Sequence, residues 1–116
     1  MTTDADCLFC KIVAGEIPST EVLSTERAYA FRDIAPNTPT HVLVVPRDHH
    51  EDAASLVKND PELFAHVYAT AVQVAEQEGL AGGYRLIVNT GPDSGRTVFH
   101  THVHVLGGRP MVIPIA

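Results

Sequence analysis

Three histidines occupy alternate positions in the stretch FHTHVHVLGG: His100, His102 and His104. Imidazole changes charge near neutral pH, so it serves as nucleophile, proton carrier, hydrogen-bond donor or metal ligand under ordinary conditions. On a β-strand, residues two apart share a face. The three rings would then stand in a row, roughly 7 Å between neighbours, with Thr101, Val103 and Val105 directed into a core. Such a row has three readings. It is a solvated strand face that happens to use histidine, a metal site, or a catalytic site. A flat row does not by itself converge three rings on one ion. A catalytic row supplies an attacking ring, a neighbour that fixes its tautomer and a donor to a substrate oxygen. Alternation explains why these positions are polar but not why each is histidine, which favours a reactive role.

A second group is Cys7-Leu8-Phe9-Cys10. Two cysteines at this spacing are a weak metal signal alone, because a closed zinc site needs four nitrogen or sulfur ligands. The N-terminal MTTDADCLFC lacks the basic start and apolar run of a signal peptide. No apolar stretch approaches the roughly 20 residues of a membrane helix. A cytoplasmic protein is therefore expected, with cysteines that are metal ligands or free thiols rather than a structural disulfide.

The elements that must position these groups follow from pattern. CLFCKIVAGEIPS reads as a short helix ending near Gly15, with Pro18 barring continuation. Glu21–Leu23 and Ala28–Ile34 read as a hairpin, and APNTPT as a loop. HVLVVPR, residues 41–47, is an apolar, β-branched buried strand. The segment from Glu51 to Leu80 is helical in pattern, with Asp60 as N-cap and Pro61 at the first helical position. Leu63, Phe64, Val67, Ala71 and Val74 give it a core face. Its other side, Ala65, Tyr68, Ala69 and Val72, is also poorly polar, which points either to deep burial or to packing against a second chain, and in so small a domain a dimer is expected. YRLIVNTG is a further strand, PDSGRTVFH a polar loop, and the histidine stretch the last strand. The order helix, hairpin, strand, helix, strand, strand predicts an α+β domain with a mainly antiparallel sheet.

Composition sets the limits. The 116 residues fit one domain, 1–116, and 45% hydrophobic with 19% charged content is ordinary for a globular fold. A net charge of −6 with only 8 Lys and Arg argues against a nucleic-acid module, though not against one phosphate held by local groups.

The blocks CLFCKIVAGEIPS, AFRDIAPNTPTHVLVVPRDHH and GYRLIVNTGPDSGRTVFHTHVHVLGGR, in that order over nearly the whole chain, resemble the histidine triad (HIT) family. The likeness is greatest to its Hint branch of nucleoside phosphoramidate hydrolases. The resemblance implies a HIT-like fold: a five-stranded antiparallel sheet, one long helix and a short N-terminal helix, dimerising through the long helix and a strand. It implies attack by His102 on the α-phosphorus of a purine nucleotide such as an AMP derivative, through a nucleotidyl-histidine intermediate. His104 would donate to a phosphate oxygen, His100 would orient His102 through its carbonyl, and His41 would assist proton transfer. Asp33 would bind ribose hydroxyls. Asn89, Gly95, Thr97 and Val98 would border the phosphate. Leu8, Phe9, Ile12, Phe31 and Ile34 would line a slot for the base. Thr97 stands where close relatives often carry serine, and the tail GGRPMVIPIA lacks their tryptophan.

The resemblance also implies a structural Zn2+ held by Cys7, Cys10, His49 and His100, with His50 as the rival to His49. His100 then has two competing roles. Other chemistries of the family stay open: dinucleoside polyphosphate hydrolysis, or nucleotidyl transfer, which usually has glutamine where this chain has His104. So does a nucleotide-binding interaction protein with residual catalysis.

Overall fold

The computed structural model describes residues 4–95 and 98–111. Five strands, β1 (Glu21–Ser24), β2 (Ala28–Arg32), β3 (Thr40–Pro46), β4 (Tyr84–Val88) and β5 (Val103–Gly107), pair antiparallel in the order β1-β2-β3-β5-β4. The helices are α1 (Leu8–Val13), α2 (Ala53–Asn59) and α3 (Pro61–Gln77). The expected α+β antiparallel fold is present. β5 lies between β3 and β4, so the last strand of the chain is central and both its neighbours shield it.

The long helical stretch expected from Glu51 to Leu80 is two helices. Asp52 caps α2 by accepting from the Ser55 N–H at 2.9 Å. Asp60 has an extended φ of −153° and accepts from the Leu63 N–H at 3.1 Å, opening α3. Pro61 explains the break. Its ring disfavours helical backbone at the residue before it, while its missing N–H costs nothing at a first helical position.

Alternation along the strands makes two different faces. Ala28, Ala30, Val42, Val44, Val103 and Val105 are fully buried against Leu56 of α2 and Leu63, Val67, Ala71 and Val74 of α3. This is the main core, and burial of this apolar area is the dominant stabilising term. The opposite face carries Phe31, Leu43 and Val45, which pack on Phe9 and Ile12 of α1. Because α1 has only six residues, the cluster it forms takes in β2 and β3. The same face continues through the cross-strand row Phe31, Leu43, His104 and Ile87, so His104 stands beside that cluster.

The histidine stretch departs from the expected straight strand. β5 begins at Val103, after His100 and His102. Thr101 is held instead by the His50 carbonyl, which accepts from its backbone N–H at 2.8 Å and its hydroxyl at 3.0 Å. The backbone therefore leaves the ladder before His102, yet His102 and His104 remain ring neighbours at 4.9 Å between centroids, and Phe9 meets both His100 and His102, at 6.0 and 5.2 Å. At the far end of β5 the Leu80 side chain lies 2.7 Å from where a Cβ on Gly107 would stand. Glycine there lets the Leu80 side chain pack directly on the strand, and any Cβ would require that side chain to shift.

Candidate active site and metal cluster

His100 is fully buried. Its Nε2 lies 2.9 Å from the Pro46 carbonyl oxygen. A carbonyl only accepts, so Nε2 carries the ring proton and Nδ1 presents a bare lone pair. That Nδ1 faces Cys7 Sγ at 3.3 Å, Cys10 Sγ at 3.5 Å and His49 Nδ1 at 3.2 Å, and His49 Nδ1 lies 3.4 Å from Cys10 Sγ. All four donor atoms fall within 4.8 Å of one another. Zinc bond lengths in a tetrahedron imply ligand separations of about 3.3 Å for two nitrogens and about 3.6 Å for nitrogen and sulfur. The donor set and its spacing fit a closed Cys2His2 zinc site. A carbonyl behind a ligating imidazole is the usual outer partner that fixes its tautomer. His49 is in the cluster, whereas His50 contributes its backbone carbonyl to Thr101. Burial, above all, pushes the metal-free Cys10 thiol up to about 11, so metal binding there would displace a proton.

His102 is 9% exposed. Its Nδ1 lies 2.7 Å from the His100 carbonyl oxygen, so Nδ1–H donates and Nε2 is the unprotonated nitrogen of the ring. The ring edge packs on Phe9 at 5.2 Å and on His104 at 4.9 Å between centroids. An imidazole whose proton is tied to a carbonyl is fixed in tautomer and orientation, the arrangement that a nucleophilic ring would need.

A third chain of contacts sets the tautomer of His104. The backbone N–H of Asn37 donates to His41 Nδ1 at 3.1 Å. His41 Nδ1 is thus an acceptor, and its proton resides on Nε2. His41 Nε2 lies 2.9 Å from His104 Nδ1 and 3.5 Å from Asp33 Oδ2. His104 Nδ1 accepts that proton, which leaves Nε2–H of His104 as an outward donor. Asp33, His41 and His104 also lie close enough to hold an ion. The proton that Asn37 forces onto His41 Nε2 makes this cluster a hydrogen-bonded relay instead. Burial, then the neighbouring His102 and His41, lowers His104 to about 4. Burial also lowers His41, opposed by Asp33. Both rings are neutral at pH 7, as a tautomer relay requires.

The remaining expected residues take several positions. Asp33 accepts from the Ala35 N–H at 2.8 Å through Oδ1 and faces His41 with Oδ2. Asn89 follows β4 directly, just past the last ladder pair, Val88 with Val103. Val98 is half-buried and packs against the Phe9–Phe31 cluster. Gly95, at φ 84°, closes a turn over Pro92–Ser94. Thr97 lies outside the described residues. Phe9, Ile12 and Phe31 are packed core rather than open slot, and Leu8 and Ile34 are exposed. A cleft of about 370 Å3 is lined by Asp4, Cys7, Leu8, His49, Val98 and Phe99 among others.

Sequence reasoning did not find the Asn37 N–H, the Pro46 carbonyl or the His50 carbonyl. All three are backbone groups, and their residue types carry no signal for these contacts.

The HIT domain pattern matches residues 14–111. The chain belongs to the HIT family. It is 43% identical over 113 residues to the 14 kDa zinc-binding protein of Zea mays, spanning 96% of this chain and 88% of that one. It is 40% identical over 114 residues to adenylylsulfatase HINT1 of Arabidopsis thaliana, spanning 97% and 78%. Among solved structures, a HIT family hydrolase from Legionella pneumophila superposes with a TM-score of 0.89 at 44% identity, covering 94% of this chain and 98% of that one.

Two outcomes follow from this geometry. His104 has a folded value of about 4 against an ordinary 6.5. The unfolded chain therefore binds the proton first, and stability falls as pH drops from about 6.5 to about 4 and levels off below. Urea unfolding across that range should show a shallower slope for His104→Asn; an unchanged slope would remove His104 as a source of the acid sensitivity. Nitrogen-15 NMR of the histidine rings should show His104 wholly as the Nε2–H tautomer. In His41→Ala it should become a mixture, and an unchanged tautomer would show that His41 does not set it.

Proposed function

We propose that this HIT protein hydrolyses nucleotide derivatives at the α-phosphorus, with the P–N bond of purine nucleoside phosphoramidates, adenosine ones above all, as its substrate class. The observation that carries this reading is the His102 ring, held through Nδ1–H on the His100 carbonyl so that Nε2 is its unprotonated nitrogen, packed beside His104, whose own proton lies on Nε2. His102 Nε2 attacks phosphorus, the P–N bond breaks with its electron pair on nitrogen, and the amine leaves after taking a proton from solvent. A nucleotidyl-imidazole remains. Water then attacks phosphorus, releasing the nucleoside monophosphate and restoring the ring. Attack makes the imidazole cationic, and its Nδ1–H bond to the His100 carbonyl strengthens at that moment. The His104 donor meets the charge growing on a phosphoryl oxygen. His41 acts on His104, so it is a positioning residue in this scheme.

Asn89, Gly95, Thr97 and Val98 would border the phosphate, and Asp33 the ribose. Leu8, Phe9, Ile12, Phe31 and Ile34 would meet the base, the buried ones as a floor beneath it. Cys7, Cys10, His49 and His100 would hold Zn2+, which supplies structural cross-linking when bound. The chemistry proceeds on His102.

A second substrate is favoured by the Arabidopsis relative, whose name assigns it adenylyl sulfate. The same attack on the adenylyl phosphorus would there release sulfate. Turnover separates the readings. kcat/KM for a fluorogenic adenosine phosphoramidate should exceed that for adenylyl sulfate and for a dinucleoside polyphosphate. His102→Ala should lose more than about a thousandfold. Equal turnover by wild type and His102→Ala would end the enzymatic reading, and a reversed order of substrates would replace the phosphoramidate assignment.

We also propose a homodimer through α3 and β4. Ala65, Tyr68 and Ala69 are exposed on α3, with Val72 half-buried beside them, and β4 is a sheet edge with open backbone groups. Sedimentation should give twice the chain mass for wild type and a monomer for Tyr68→Glu with Ala69→Glu. A monomeric wild type at micromolar concentration would end this reading.

A further inference from the structure

The four-donor cluster has a property that the proposed hydrolysis does not use. Its two cysteines differ in access. Cys10 is buried, while Cys7 is half-buried and lines the cleft of about 370 Å3. Cys7 is the N-cap of α1 and Cys10 the third residue of its first turn. The Cys10 N–H donates to Cys7 Sγ at 3.3 Å, which keeps that sulfur turned back over the helix start. The two Sγ atoms lie within 4.8 Å of each other. A small reagent entering the cleft therefore reaches Cys7 first, with a second sulfur waiting behind it. That is the arrangement of an attacking and a resolving cysteine.

We propose that Cys7 and Cys10 are a reversible redox site, which closes to a disulfide and in doing so releases the metal. The oxidant class is a hydroperoxide. Cys7 sulfur attacks the outer peroxide oxygen, giving the sulfenic acid and an alcohol. Cys10 sulfur then attacks Cys7 sulfur and expels water. In sum the two thiols lose two electrons and two protons, and the hydroperoxide becomes alcohol and water. With metal bound, the thiolates supply the electrons, two protons come from solvent, and Zn2+ leaves because both sulfur ligands are gone. A dithiol reverses the change.

The consequence reaches the nucleophile. His100 is a ligand of the cluster through Nδ1, and its carbonyl holds His102 Nδ1–H at 2.7 Å. Opening the cluster frees the His100 ring on that side, which loosens the carbonyl that orients His102. This step rests on the zinc and hydrolase readings above; the disulfide itself does not.

The test treats whole protein with tert-butyl hydroperoxide and follows three signals. Intact mass should fall by two hydrogens and return with dithiothreitol. A chromogenic chelator should register about one equivalent of zinc per chain in step with the mass change. Turnover should fall in kcat more than in KM. Cys7→Ser should show no loss of two hydrogens, and neither should Cys10→Ser, in which oxygen adds to Cys7 instead. Oxygen addition without a disulfide in wild type, or a disulfide that leaves zinc bound, would overturn the proposal. Less than half an equivalent of zinc in the untreated, chelator-free protein would count against the metal reading alone, and the thiol-reversible mass loss would still support the disulfide.

Discussion

The bond between His102 Nδ1–H and the His100 carbonyl is the contact on which the site turns. At 2.7 Å it fixes the tautomer and orientation of His102 in one stroke. It is a bond to backbone only two residues away, and a regular strand would not offer it, because a strand directs that carbonyl sideways into its ladder. The chain obtains it by keeping residues 100–102 out of β5. That detour needs its own supports. The His50 carbonyl takes both donors of Thr101, and the Pro46 carbonyl takes the ring proton of His100. The His102 ring is therefore held, directly or through its neighbours, by three carbonyls on two stretches of chain.

The two faces of the sheet divide the labour between stability and chemistry. The face under α2 and α3 is filled with small and β-branched side chains that exclude solvent completely. It supplies the burial that keeps the sheet intact, and it leaves the other face free to carry polar groups. There α1 does two things with six residues. Phe9 and Ile12 seal the Phe31–Val45 half, and Phe9 also meets the His102 ring edge. Cys7 and Cys10 face the cluster from the same turn.

Much of this was legible in the chain. Strand identity, the capping of α3 by Asp60 and Pro61, and the two apolar faces came from side-chain pattern, which is set by local backbone geometry. The cysteine pair and His49 could be linked to His100 only through likeness to a family, because nothing in their spacing brings residues 7, 49 and 100 together. The extent of the last strand was the clearest misreading, since β5 begins only at Val103. Alternating residues imply a strand only while the backbone stays in the ladder, and here the competing bonds to His50 took Thr101 out of it. The division of Glu51–Leu80 into two helices was readable from Pro61 itself, whose restriction on Asp60 works against a continuous helix.

Histidine number and proximity do not decide what a cluster does. Two groups of closely spaced imidazoles lie within this small molecule, and each has a nitrogen pair about as close as the other: 3.2 Å between His49 and His100, 2.9 Å between His41 and His104. What separates them is the backbone group behind one ring. The Pro46 carbonyl draws the proton of His100 away from the cluster, so a lone pair faces two sulfurs and a second nitrogen. The Asn37 N–H does the reverse at His41, forcing the proton toward its neighbour, so a donor faces His104. The first arrangement is electron-rich at its centre and suits a cation. The second already contains the proton that a cation would have to displace. A carbonyl in one place and an N–H in the other thus suit the same side chain to a cation at one cluster and to a proton relay at the other, and the His102 ring lies between them, in contact with His104 and bonded to the His100 carbonyl.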